Sequence, residues 1–312
     1  MDTPVTLPDG FTARPCVGSD VRAVFEMVAA CEAVDAGEVG IELDDIDSEW
    51  AKPSFDLATD TVAVFDDATE SLVAQGEITY GTRADACVHP DWRGRGIGTW
   101  LLRWTEDHAR AQGASRIGQT VVDTAADAVD LFERHSYTWL WTSWILQIRF
   151  TDAPPNAPKL PDGYTIRDFV QGADDRAVHA VIDTAFLEWA ERDPEPFEDW
   201  EAKTVARAGF EPWLLPLVTA PDGAIVGVVF LIDSQDQADG WVQQLAVAKE
   251  HRGRGLGRAL LDEAFNRFYA RGRRVCELNT DSRTGALGLY EHVGMSVKSS
   301  YTHRALQFAD TD

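Results

Sequence analysis

Apolar positions along the chain fall into two rhythms, and both occur twice. Leu256, Leu260, Leu261, Ala264, Phe265 and Phe268 recur at helical spacing and make one apolar face. Gly272 follows as a stop signal, so the pattern predicts a helix that ends near it. Shorter apolar runs read as strands: Thr61–Phe65, Ser71–Tyr80 and Ala84–Val88 in the first half, and Leu214–Thr219, Ala224–Ile232 and Gly240–Val247 in the second. Helical regions precede them at Val21–Ala33 and Arg176–Trp189. A strand at Val275–Asn279 and a short helix at Gly285–Val293 close the second half. Strands mixed with helices in this order predict an α/β chain of the layered, α+β kind.

The two halves also share words. Leu7-Pro8-Asp9-Gly10-Phe11-Thr12-Ala13-Arg14 returns as Leu160-Pro161-Asp162-Gly163-Tyr164-Thr165-Ile166-Arg167. Arg93-Gly94-Arg95-Gly96-Ile97-Gly98 returns as Arg252-Gly253-Arg254-Gly255-Leu256-Gly257, and Asp130–His135 returns as Gly288–Val293. Three matches in one order, at nearly constant separation, mark a duplication. Between the copies, Pro154, Pro155 and Pro158 make 151–159 an extended linker. The predicted domains are 1–150 and 160–312, each of ordinary domain size.

Composition narrows the function. The 312 residues are 45% hydrophobic, enough for a core in each half, and no apolar run is long enough to cross a membrane. The acidic start Met1-Asp2-Thr3-Pro4 does not read as a secretory leader. The four cysteines, Cys16, Cys31, Cys87 and Cys276, form no CxxC pair, so neither a disulfide framework nor a zinc site is expected. Nor do the histidines show ligand spacing, and no metal is expected. A cytoplasmic protein follows as the expectation. A net charge of −24 repels phosphate backbones, which disfavours nucleic acid and favours cationic partners.

The glycine run carries the chemistry. Alternating glycines where a strand turns into a helix allow positive φ and a close approach to the main chain. The first N–H groups of the helix have no internal partner and lie at the positive end of its dipole. Such a loop suits a phosphate or pyrophosphate, with Arg252 and Arg254 adding charge. Neither a dinucleotide fingerprint nor a Walker A loop fits the spacing.

The same string resembles the acetyl-CoA signature of the GNAT superfamily of N-acetyltransferases, Val-x(4)-Arg-x-x-Gly-x-Gly. Val247, Arg252, Gly255 and Gly257 match it, and so do Val88, Arg93, Gly96 and Gly98. The resemblance covers both halves. The tandem layout is similar to that of mycothiol synthases and related two-domain actinobacterial acetyltransferases. It implies two GNAT-like domains, each a mixed, mostly antiparallel sheet flanked by helices. It implies acetyl-CoA as cofactor, with the pantetheine arm on Leu245, Ala246 and Val247, or on Ala86, Cys87 and Val88. The pyrophosphate would lie on the backbone from Arg252 to Arg258 (Gly253, Arg254, Gly255, Leu256, Gly257) or from Arg93 to Gly98 (Gly94, Arg95, Gly96, Ile97). Asn279 would contact the cofactor in the second copy, and 121–123 offer no asparagine in the first.

The resemblance further implies that a tyrosine on the short helix protonates the leaving thiolate. Tyr290 matches that place, while the first copy has Phe132 there, which cannot donate. Copy one is therefore expected to bind without turnover. No carboxylate stands at Trp241–Gln244, where a base often sits; Glu277 and ordered water remain as options. The acceptor is expected to be the primary amine of a small molecule. It would be a cationic one if the acid-rich segments Glu32–Trp50 and Glu188–Glu201, with Trp189 and Trp200, face it. Two other readings stay open: a non-catalytic acyl-CoA sensor, and an acetyltransferase of protein N-termini or lysines. Either a monomer or a homodimer is compatible.

Overall fold

The duplicated words have a structural reason. In the computed structural model, which describes residues 6–188, 193–233 and 239–308, Gly10 and Gly163 both take positive φ in the turn before the first strand of their unit. The arginine that ends each repeat then grips the first helix. Arg14 holds Asp20 through two hydrogen bonds of 2.6 and 3.0 Å, and Arg167 holds Asp174 at 2.6 and 2.8 Å. Each aspartate also accepts a backbone N–H at 2.8 Å, from Val17 or Val170. Planar guanidinium–carboxylate pairs of this kind fix orientation as well as charge.

Contacts divide the chain into two compact units: Met1–Thr142 with Tyr301–Asp312, and Ser143–Ser300. Chain order alone would part the copies at the proline-rich 151–159. The grouping instead moves Ser143–Phe150 to the second unit and the C-terminal segment to the first.

In the first unit the order is β1 (Phe11–Arg14), α1 (Val21–Asp35), α2 (Leu43–Trp50), α3 (Leu57–Asp60), β2 (Thr61–Asp66), β3 (Leu72–Thr79), β4 (Arg83–Val88), α4 (Ile97–Ala111), β5 (Arg116–Val122) and α5 (Ala126–Arg134). A long β6 (Thr138–Arg149) begins in this unit and ends in the second. Strands β1 to β4 pair antiparallel in sequence order, and β4 runs parallel to β5.

The second unit repeats the plan with β7 (Thr165–Arg167), α6 (Asp175–Phe186), α7 (Phe197–Lys203), β8 (Leu217–Thr219), β9 (Ile225–Ile232), β10 (Gly240–Val247), α8 (Leu256–Ala270), β11 (Val275–Asp281) and α9 (Leu287–His292). Again the first four strands pair antiparallel, and β10 runs parallel to β11. The last strand, β12 (Ser296–Gln307), crosses the boundary: its Tyr301–Gln307 portion pairs antiparallel with β5 and closes the sheet of the first unit. Ser143–Arg149 of β6 pairs with β11 and closes the sheet of the second. The α/β class and the mixed, mostly antiparallel sheets agree with expectation.

The sheet of the second unit has an apolar layer on both faces. The face of α8 predicted from spacing is buried as expected: Leu256, Leu260, Leu261, Ala264, Phe265 and Phe268 pack with Val242, Leu278 and Tyr290. Burying side chains of this size contributes roughly 1.5–3 kcal/mol each. The opposite face receives α6 and α7 through Val178, Ile182 and Trp200, against Val228, Phe230 and Ala246.

Candidate active site

A wedge opens in each sheet where its two parallel strands part. Strand β10 is paired with β11 only at Gly240, Trp241 and Val242, yet it stays paired with β9 as far as Val247. A register shift between Val242 and Gln244 marks the departure, with Gln243 as the extra residue. From there to Val247 one edge of the strand has no partner strand among the described residues. Strand β4 does the same: it pairs with β5 only at Arg83 and Ala84, and with β3 as far as Val88. The residues expected to carry a pantetheine arm, Leu245–Val247 and Ala86–Val88, lie on these free edges.

The glycine loop stands at the mouth of each wedge. Gly94, Gly96, Gly253 and Gly255 all have positive φ, and Gly96 and Gly255 are the N-caps of α4 and α8. No side chain caps either helix, so the N–H groups of Ile97, Gly98 and Thr99, and of Leu256, Gly257 and Arg258, are left for a ligand. A methyl group built on Gly253 or Gly255 would meet nothing within 4 Å, whereas one on Gly96 would meet Pro8 at 3.3 Å. Within the helices, Gly257 lies 3.6 Å from Leu289 and 4.0 Å from Val247, measured from the methyl it lacks. Gly98 stands in the same relation to Leu131 at 3.5 Å and Val88 at 3.9 Å. Thus strand end, helix start and short helix meet alike in both units.

The arginines divide their labour. Arg252 donates through Nε to the Val247 carbonyl at 2.8 Å and through Nη1 to Glu188 at 2.7 Å. Arg93 donates to the Val88 carbonyl at 3.1 Å and grips Asp35 at 2.7 and 2.8 Å. These first arginines tie the strand end to the end of the first long helix; they are not turned toward the loop N–H groups. Arg95 and Arg254 stay exposed, reaching back to the carbonyls of Asp91 and Glu250 at 3.3 and 3.4 Å. Arg258 lies on the first turn of α8, 3.9 Å from Asp262.

Tyr290 sits on α9 with its ring buried in the α8 core. Its hydroxyl makes no hydrogen bond to any described residue, and burial pushes its pKa up to about 12. It is a neutral phenol at physiological pH, with its proton uncommitted. Phe132 occupies the matching place in the first unit, buried and 5.0 Å from the ring of Tyr137. Asn279 is exposed on the face of β11 opposite Leu278, which turns into the α8 core. Its register counterpart in the first unit is Thr120, which bonds His303 at 2.9 Å. Glu277 is not free for proton transfer: it accepts from Lys298 at 2.7 Å and from Gln147.

Sequence reading missed a carboxylate pair in the first unit. Glu77 on β3 faces Asp85 on β4 directly across the ladder. The matching positions of the second unit are Phe230 and Gln244. An acid inside the apolar run Leu72–Thr79 was the available signal. Also missed was Gln119, whose side-chain amide crosses the wedge and donates to the Ala86 carbonyl at 2.6 Å. Leu278 holds its place in the second unit and is core.

The acid-rich segments turn out to be partly internal scaffolding. Glu32 accepts the N–H groups of Gly40 and Ile41 at 2.8 and 2.9 Å, Asp45 caps α2 at Glu42 N, and Asp35 and Glu188 hold the arginines. Trp200 is fully buried, and Trp189 lies outside the described residues. No group of three His, Cys, Asp or Glu side chains among the described residues fits a metal ion. No helix among them is long and apolar enough to cross a membrane.

Two matching regions, 47–137 and 177–295, fit the model of the acetyltransferase (GNAT) family, one in each repeat. The chain belongs to that family. Members use acetyl-CoA as acyl donor. A mycothiol acetyltransferase of Frankia casuarinae is 32% identical over 70% of this chain and 66% of its own length. A GCN5-related N-acetyltransferase from Sphaerobacter thermophilus, of known structure, is 32% identical, covers 97% of each chain and superposes with a TM-score of 0.76. A tandem GNAT protein from the clavulanic acid biosynthesis pathway shares the fold, with a TM-score of 0.73 at 17% identity and coverage of 97% of this chain and 100% of its own.

Proposed function

We propose that the second unit transfers an acetyl group from acetyl-CoA to the primary amine of a small molecule by direct attack. The observation that carries this reading is the coincidence, in one unit, of an open strand edge, an uncapped glycine-led helix and a buried tyrosine with an uncommitted hydroxyl. The fit to the cofactor is local. The free N–H groups of Leu256, Gly257 and Arg258 suit a pyrophosphate, and the open space at Gly253 and Gly255 lets it approach. The edge of β10 from Gln243 to Val247 would hold the pantetheine arm as an added strand does.

Acetyl-CoA, when bound, supplies the acetyl thioester. The chain's own part is to orient that group and to present a proton at the Tyr290 hydroxyl for the departing sulfur. Phe132 lacks that proton, so the first unit is proposed to bind cofactor without turnover. The amine reaches its neutral form through water, because the second unit has Phe230 and Gln244 where the first has Glu77 and Asp85.

That last feature favours a second reading, an acyl-CoA-binding sensor with no reaction. Thiol release from acetyl-CoA separates the two. A panel of polyamines, aminoglycosides and cysteinyl-glucosaminyl-inositol serves as acceptors, the last suggested by the relatives named mycothiol acetyltransferases. Release with at least one amine supports the enzyme; saturable acetyl-CoA binding with no release from any of them supports the sensor.

A further inference from the structure

Three sulfur atoms meet in the first unit beside the open edge of β4. Met27 Sδ lies 3.9 Å from Cys31 Sγ and 3.5 Å from Cys87 Sγ. Cys31 is on α1 and Cys87 on β4, 56 residues on in the chain. The two thiols thus flank one methionine sulfur, and Cys31 also reaches the Val88 carbonyl at 3.3 Å. Packing does not require sulfur here. The corresponding positions of the second unit, taken from the register of the first helix and the cofactor strand, are Val181, Ala185 and Ala246, all plain apolar residues against the same face.

We propose that Cys31 and Cys87 form a reversible disulfide when the protein meets a hydroperoxide, making the α1–β4 contact an oxidation site. The Cys31 thiolate attacks the peroxide oxygen; the S–O bond forms, the O–O bond breaks, and the alcohol or water leaves. The Cys87 sulfur then attacks the Cys31 sulfenic acid; the S–S bond forms, and hydroxide leaves with the Cys87 proton as water. Two thiols are oxidised and one peroxide is reduced.

The surroundings select this pair among the four thiols. The neighbouring Cys87 thiol and the charge of Arg93 hold the Cys31 thiol below its ordinary range. Burial pushes Cys16 up to about 11 and Cys276 well above its ordinary value, and Cys87 is raised beside Cys31 as well, so Cys31 is the thiol set to attack first and Cys87 the one placed to resolve it. Arg93 is itself fixed by Asp35, so the positive charge beside Cys31 is held in place. Cys87 is only half-buried and sits on the free edge of β4, which gives the oxidant a way in. The bond would clamp the end of α1 onto that strand.

The test uses the full chain, reduced and then treated with a small excess of hydrogen peroxide before alkylation under denaturing conditions. The expected result is a mass loss of about 2 Da, two thiols still alkylated, a cross-linked peptide joining Cys31 to Cys87, and full recovery with dithiothreitol. Cys87→Ser should abolish the cross-link and leave a sulfenic acid on Cys31 that dimedone traps. Met27→Leu, which keeps both thiols, should retain the cross-link. A bridge that uses Cys16 or Cys276, or oxidation of Cys31 and Cys87 to sulfonic acids with no bridge, would overturn the proposal. The mass readout needs no acetyl-CoA, so it stands or falls apart from the acetyl-transfer reading.

Discussion

The carboxylate of Glu77 accepts the indole N–H of Trp50 at 3.3 Å, a hydrogen bond that joins α2 to β3. Gln75 adds a second hydrogen bond at 3.2 Å. Burial above all, and then the charge of Asp85, push the Glu77 pKa up to about 7. The folded protein therefore holds this proton more tightly than the unfolded chain does. The stability it confers is complete below the ordinary carboxylate range and is lost as pH rises through about 7.

Thermal melts from pH 5 to 8 should show wild type losing stability relative to Glu77→Gln as pH increases. The difference should approach a ceiling on the order of 3 kcal/mol. Gln keeps an acceptor for Trp50 and removes the titration, so two parallel pH curves would refute the assignment.

Tyr290→Phe keeps the ring that fills the α8 core and removes only the hydroxyl. The expected outcome is a fall in kcat of roughly 10²–10⁴, with the acetyl-CoA affinity and Tm close to wild type. Because the pKa stands at about 12, no alkaline loss of kcat from this phenol is expected up to pH 10. Steady-state thiol release checks both points, and an unchanged kcat would remove Tyr290 from the reaction.

Gly255→Ala tests the loop. The new methyl meets no atom within 4 Å, but φ is +82°, so the cost is conformational. A loss of roughly 1–2 kcal/mol is expected. Acetyl-CoA binding measured by calorimetry should weaken at least tenfold if the N–H groups that follow the cap hold the pyrophosphate.

Gln119→Leu copies the second unit's Leu278 into the first. It frees the Ala86 carbonyl from the 2.6 Å hydrogen bond that spans the wedge. Acetyl-CoA titrations should then show tighter occupancy of the first unit, with the second unchanged. Equal binding curves for the two proteins would mean that the amide is no obstacle.

The fold could be read from the sequence because its elements carry periodic apolar faces. The α8 stripe and the strands Thr61–Asp66, Ile225–Ile232 and Gly240–Val247 are held by nearest neighbours and show in any short window. The long strands β6 and β12 were not foreseen, because their pairing partners are distant in the chain and Trp139, Trp141 and Trp144 break the alternation. The glycine loop was legible for a local reason: positive φ demands glycine. The turning of Arg93 and Arg252 toward strand carbonyls was not, since it depends on Asp35 at the end of α1 and Glu188 just past the end of α6, both far away in the chain. Glu77 and Gln119 escaped notice in the same way, as their meaning arises only from strand register.

The seam at β5 carries a consequence for how the molecule is made. The strand that completes the first sheet, Tyr301–Gln307, leaves the ribosome only after every other strand of both sheets. Until then β5 presents an unpaired edge, so the half synthesised first is the half that finishes last. This strand acts as a late stitch, and a chain that stops before Tyr301 would be expected to lose order at β5.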